Sequence, residues 1–220
     1  MFIGHFAVGM GAKAAAPKVS LGSLFLAAQF LDLLWPTLLL LGVEHVKIEP
    51  AITGLTPLDF TYYPITHSLL MACVWGILLG GVFWLIHKNT KIAIVIGLCV
   101  VSHWVLDLMV HRPDLPLYPG HADKVGFGLW NSLSGSLLVE SALFIVGVAI
   151  YLRATRAKNR TGIFSCWALI VFLVLIHIGN LFGPPPPSVT AIAWAGQLQW
   201  LFVIWAYWVD RNRTVRMQQA

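Results

Sequence analysis

Apolar residues run through this chain in long blocks, and the breaks between them are short and polar or rich in Pro and Gly. Six blocks stand out, at roughly 19–41, 65–86, 91–110, 129–152, 162–182 and 189–209. Each is close to the ~20 residues that an α-helix needs to cross a bilayer. Residues 1–16 are apolar and small, but too short to span, which predicts a re-entrant or half-helix ahead of the first block. The pattern predicts an all-α, polytopic membrane helix bundle of about six transmembrane helices plus that N-terminal piece. Gly76 and Gly80, and Gly179 and Gly183, have the small-xxx-small spacing that lets helices approach closely. Pro184 to Pro187 form a stiff turn before the last block.

Composition strengthens this reading. Hydrophobic residues make up 58% of the 220 and charged residues 10%, with a mean hydropathy of +0.79. No ordinary soluble domain has that balance. The formal charge of +5 does not imply nucleic acid, because the basic residues sit in short connectors. Lys13, Lys18, Lys88, Lys91, the four basic residues of 153–161 and the three of the C-terminal tail fall on one side. Only Lys47, Arg112 and Lys124 fall on the other. This asymmetry predicts cytoplasmic termini. Cys73, Cys99 and Cys166 are isolated in apolar runs, with neither ligand spacing nor a disulfide framework. No charged segment precedes an apolar stretch at the start, so no cleavable signal peptide is expected.

Three acids interrupt the blocks: Asp32, Asp107 and Glu140. At ~1.5 Å of rise per residue, Asp32 lies roughly 21 Å from Lys18, Asp107 roughly 24 Å from Lys91, and Glu140 roughly 20 Å from Arg153. Three helices therefore bring their buried acids to a similar depth. A buried carboxylate is costly unless it is paired or ligating. Protonated acids hydrogen-bonded to Ser or Thr neighbours are the alternative.

His103, Asp107 and His111 recur at i, i+4 and i+8, which stacks them on one helical face. Imidazole and carboxylate are the groups a zinc-type ion takes, and two at i, i+4 can hold one ion. A helix end with polar residues reaching water is the other reading. His67 opens the second block, where Thr66 could orient its ring. His5 reaches the same level only if the N-terminal half-helix runs inward from Lys13, by roughly 12 Å of rise. His45 and His121 belong to outer loops, His87 to an inner helix end, and His177 reads as a hydrogen-bonded core residue facing Asn180.

Gly4-His5, Leu31-Asp32, Thr66-His67-Ser68-Leu69-Leu70, Ser102-His103-x-x-x-Asp107 and Pro116-Leu117-Tyr118-Pro119 occur in that order. Over residues 1 to about 120 the chain resembles the YdjM-type family of bacterial inner-membrane proteins, described as metal-dependent hydrolases. It departs from that pattern at Leu31-Asp32-Leu33-Leu34, where the family has a Pro-Asp-x-Asp run. Tyr63-Pro64-Ile65 also replaces the family's His-Arg-Gly. The order of His5, Asp32, His67, His103, Asp107 and Glu140 is more distantly similar to the zinc-dependent phospholipase C ligand order. That similarity implies Asp107 bridging two ions, with His67 and His103 on one and His5 and Asp32 on the other. Glu140, with His111, would serve a further ion or the attacking water.

The expectation is a membrane-embedded metal-dependent hydrolase. Residues 1–152 carry its metal site, and 153–220 add two transmembrane helices and a basic tail. The expected ligands are His5, Asp32, His67, His103, Asp107, His111 and Glu140, with Asp107 and Glu140 catalytic. They would hold a divalent metal, zinc first, in two or more copies. The expected substrate is a membrane lipid or a lipid-linked phosphoester, and the expected place is a bacterial inner membrane. Two rivals stand beside it: a cation- or proton-coupled transporter using the intramembrane acids, and a haem-binding subunit with paired axial histidines.

Overall fold

A computed structural model of the chain describes residues 1–120 and 123–216; His121 lies outside the described residues. In chain order, α1 (Ile3–Ala15), α2 (Leu21–Ala28) and α3 (Phe30–Leu40) lead to a hairpin of β1 (His45–Ile48) and β2 (Leu58–Tyr62). Then follow the single turn α4 (Pro64–His67), α5 (Leu69–His87), α6 (Thr90–Val110), and the short strands β3 (Leu115–Pro116) and β4 (Lys124–Val125). The chain continues with α7 (Leu133–Ala154), β5 (Thr155–Ala157), α8 (Arg160–Phe182), α9 (Val189–Gln197), α10 (Gln199–Arg211) and β6 (Arg213–Val215).

Short polar side chains decide where the helices begin. Ser20, Ser68, Asn89, Ser132, Asn159 and Ser188 each accept a hydrogen bond from the backbone N–H three residues on, at 2.8–3.3 Å. Each closes an otherwise unpaired first turn. At the far end of α5, Lys88 adopts the left-handed conformation (φ 48°) and stops the helix.

Five helical stretches are long and apolar enough to cross a membrane: Leu69–His87, Thr90–Val110, Leu133–Ala154, Arg160–Phe182 and Val189–Arg211. The bent pair Leu21–Ala28 and Phe30–Leu40 makes a sixth if it counts as one span. Large apolar side chains such as Ile77 and Phe164 are exposed on these helices, as a lipid-facing surface requires. The polytopic bundle expected from the pattern is what the chain forms.

Three local features depart from the simple pattern. The first apolar block is not straight, because α2 and α3 meet at Gln29 with a bend of 57°. Pro36 also removes the N–H that would bond the Asp32 carbonyl, and Gln199 Nε2 approaches that oxygen at 3.5 Å instead. Second, the segment between α3 and α4 folds into the antiparallel β1–β2 hairpin, pairing Lys47 with Asp59 and Ile48 with Leu58. Third, β5 pairs with β6 and ties the C-terminal segment to the end of α7. Alternation too short to register as strands hid these pairings in the sequence.

Helix α1 is largely buried, packing along α7 and against α2 and α6. The core has two main parts. One gathers α2, α3, α6 and the hairpin around Trp35, Tyr63 and Trp104, and the other gathers α1, α7, α8 and α10 around Phe6, Phe25 and Phe144. Helices α5 and α6 touch backbone to backbone. A Cβ on Gly80 would stand 2.7 Å from the Ala93 carbonyl oxygen, and one on Gly76 2.9 Å from that of Gly97. Around Gly179, by contrast, there is open space, so of the two small-xxx-small pairs only the first packs a helix among the described residues.

Candidate metal centre

His67 is fixed by a relay that begins in the loop after α3. Glu44, buried after α3, accepts the Ile65 and Thr66 backbone N–H groups at 2.8 and 2.9 Å and the Thr66 hydroxyl at 2.6 Å. The Thr66 proton is thereby committed to Glu44. Its oxygen must then accept from His67 Nδ1, which lies 2.7 Å away. The Nε2 of His67 is left with a lone pair. His103 on α6 is arranged in the same way, since its Nδ1 donates to the Ala28 carbonyl at 2.8 Å, just before the bend at Gln29.

Both Nε2 atoms face carboxylates. His67 Nε2 lies 3.4 Å from Asp32 Oδ1 and 3.8 Å from Asp107 Oδ2. His103 Nε2 lies 3.6 Å from Asp32 Oδ1 and 3.3 Å from Asp107 Oδ2. Charge-assisted hydrogen bonds close to about 2.7–2.9 Å. Ligands at ~2.0–2.1 Å around one tetrahedral ion stand about 3.3–3.4 Å apart. The four separations fit the second pattern better than the first. The buried Nε2 of His103 also has no partner in good hydrogen-bond geometry among the described residues, as a group facing a cation would not. Asp32, His67 and His103 form one group able to hold a metal ion. The donor set, imidazole nitrogen and carboxylate oxygen, suits zinc.

A second group consists of His5, His103 and Asp107. The His5 ring stacks on that of His103, with centroids 3.6 Å apart and planes within 4°. Its Nε2 lies 3.1 Å from Asp107 Oδ1, which also takes the Met1 ammonium at 2.7 Å. The two oxygens of Asp107 therefore face different partners: Oδ1 looks to α1, Oδ2 to His67 and His103. Asp32 joins His67 and His103 here and not His5, unlike the division that the phospholipase similarity implies. Its side chain is 24% exposed, against 2% for Asp107, so Asp32 is on the open flank.

Glu140 and His111 stand outside both groups. Glu140 Oε2 accepts the Phe2 N–H at 2.9 Å and lies 3.9 Å from His177 Nδ1. His177 of α8 thus faces Glu140 of α7 beside Phe2, on which its ring stacks, and its Nε2 is buried without a hydrogen-bond partner among the described residues. No spacing in the sequence could have paired it with Glu140. His111 caps α6, with its Nδ1 2.9 Å from Asp114 Oδ1 and 3.3 Å from the Tyr63 hydroxyl. Its ring packs against both Phe60 and Trp130. Burial, and then the Asp114 charge, push the Tyr63 phenol well above its ordinary range. Arg112 pairs with Asp59 and Asp114, completing this cluster. Glu44, Tyr63 and Asp114 were not predicted as site residues. Only the folded hairpin brings Glu44 to Thr66.

No curated protein and no solved structure matches the chain. The profile of the YdjM inner membrane protein family matches residues 1–182. That is further than the residues that carried the resemblance, and it runs through Glu140 and His177 to the end of α8. With most of its length covered, the chain belongs to the YdjM inner membrane protein family.

Proposed function

We propose that this protein is a membrane-embedded metal-dependent hydrolase whose substrate is a lipid or lipid-linked phosphoester. The observation that carries the reading is the pair of three-residue donor groups, Asp32, His67 and His103 beside His5, His103 and Asp107, which share His103 and lie close enough to hold metal ions. A divalent ion, zinc first among them, supplies Lewis-acid activation of water and of the phosphoryl oxygen when bound there. The chain's own residues do the rest. The Glu44–Thr66 relay and the Ala28 carbonyl keep the two imidazoles in the tautomer that presents Nε2. Asp107 turns Oδ1 to His5 and Oδ2 towards His67 and His103, and Asp32 borders the open flank from which a headgroup can approach. Glu140 is the carboxylate left over to take a proton from water. The same reading places both termini in the cytoplasm, supported by the Lys and Arg asymmetry.

One observation favours a second reading, a cation-coupled permease. The 57° break puts the Asp32 carboxylate beside a discontinuity between two half-helices, and transporters build their substrate and coupling-ion sites at such broken helices. The deciding experiment is metal analysis of purified protein before and after chelation, paired with phosphate release from phosphatidic acid in mixed micelles. Metal-dependent release supports the hydrolase. Bound metal without release, together with cation flux in proteoliposomes, supports the permease.

A further inference from the structure

At the basic end of the bundle, away from the histidines, lies a cavity of about 460 Å³. Its wall includes Lys13 of α1, Ile150, Arg153 and Ala154 of α7, Val215 of β6 and the adjoining Arg216. Among the described residues, none that lines it is acidic. The three cations are not equivalent. Lys13 is buried, and its ammonium is taken by Asp210 at 2.8 Å and the Val19 carbonyl at 2.7 Å. Arg153 is exposed and makes no ion pair or side-chain hydrogen bond among the described residues. Arg216 is braced in place, because its backbone N–H donates to the Ala154 carbonyl at 2.9 Å and its Nε to the Thr155 carbonyl at 3.2 Å. Its terminal nitrogens remain available.

Basic residues collect at one end of any membrane protein, usually in solvated turns. Here two guanidinium groups from segments far apart in sequence are brought by the β5–β6 pairing to one rim, over an apolar wall. We propose that this cavity binds the phosphoryl group of an anionic phospholipid, with Arg153 and Arg216 on its oxygens and Ile150, Ala154 and Val215 against its glycerol and upper acyl carbons. Guanidinium is the group best shaped for paired hydrogen bonds to a phosphate. Basic pockets between membrane helices suit such headgroups. Free phosphate shares the oxyanion chemistry but has nothing to place on the apolar wall. The site is independent of the hydrolase reading. Lys13 follows His5 by two helical turns, roughly 12 Å along α1.

The test is thermal unfolding of the full chain in detergent, with added phosphatidylglycerol, phosphatidylcholine or inorganic phosphate. A ligand that binds the folded state raises Tm in proportion to its occupancy. Phosphatidylglycerol should raise Tm more than phosphatidylcholine does, and Arg153→Gln with Arg216→Gln should weaken its apparent affinity on the order of tenfold. Phosphate alone reproducing the shift, with the same loss in the variant, keeps the site but assigns it to a free anion. Arg153→Gln alone disturbs no internal bond, so it decides the matter if the double variant does not fold. Lys91→Gln, a cation elsewhere on the same side, serves as the control and should respond like the unaltered protein. Equal shifts with both lipids, or an Arg153→Gln variant that responds as the unaltered protein does, would overturn the proposal.

Discussion

Glu44 and His67 share a single hydroxyl group, that of Thr66, which lies 2.6 Å from the carboxylate and 2.7 Å from the imidazole Nδ1. A loop acid beyond the membrane blocks thereby sets which nitrogen of a buried histidine is free. Metal-ligating histidines are commonly oriented by such partners, and losing one typically costs 10–100-fold in metal affinity. Thr66→Val keeps the shape of the side chain and removes the relay. Its affinity for zinc, measured by chelator competition, is expected to fall by about that factor. Unchanged affinity would separate the relay from any metal role.

His103 belongs to both donor groups, so its loss should be felt in both. Purified protein is expected to hold between about one and three equivalents of a zinc-type ion, as sites with shared bridging ligands do. His103→Ala should lower that stoichiometry. A preparation stripped of metal by chelation that keeps full function would end the metal reading.

Asp107→Asn separates bridging from simple pairing. If Asp107 only accepted hydrogen bonds, the neutral isostere would be tolerated, since removing a buried charge can even stabilise. As a bridge between ions, its loss leaves two cations facing each other. Two unit charges 4 Å apart already interact by about 4 kcal/mol at an effective dielectric near 20. The folded variant should lose at least one ion and nearly all phosphoester hydrolysis. Activity within about tenfold of the unaltered protein, under ~1.4 kcal/mol of barrier, would make Asp107 structural.

His177 faces Glu140 at 3.9 Å but joins neither donor group. His177→Phe keeps a flat ring against Phe2 and should leave the metal content intact. Metal analysis showing a lost equivalent would extend the centre into α8.

Gly80 lets α5 and α6 meet at their backbones. Gly80→Ala places a Cβ 2.7 Å from the Ala93 carbonyl oxygen, so the helices must separate. Overpacking of this kind typically costs 1–3 kcal/mol, which should appear as a lower Tm in detergent. The metal bound per folded molecule should not change, because neither helix carries a ligand at that end of the contact.

The apolar blocks alone determined the bundle, because a helix in lipid must satisfy its own backbone and so needs a continuous run of about 20 apolar residues. The i, i+4 spacing likewise placed His103 and Asp107 together, since that relation lies within one helix. Thr66 beside His67 was legible for the same local reason. What joined Asp32 to His67 and His103, rather than to His5, was tertiary. The break at Gln29 turns α3 away from α2, and no periodicity encodes the direction of a bend. Glu44 reaches Thr66 because a hairpin folds between them, and His177 nears Glu140 where both meet Phe2 at the start of α1. His111, on the same helical face as Asp107, is carried off by the end of α6 to Asp114 and Tyr63. A helical face predicts neighbours only while the helix lasts, and contacts between segments depend on packing that the order of residues does not display.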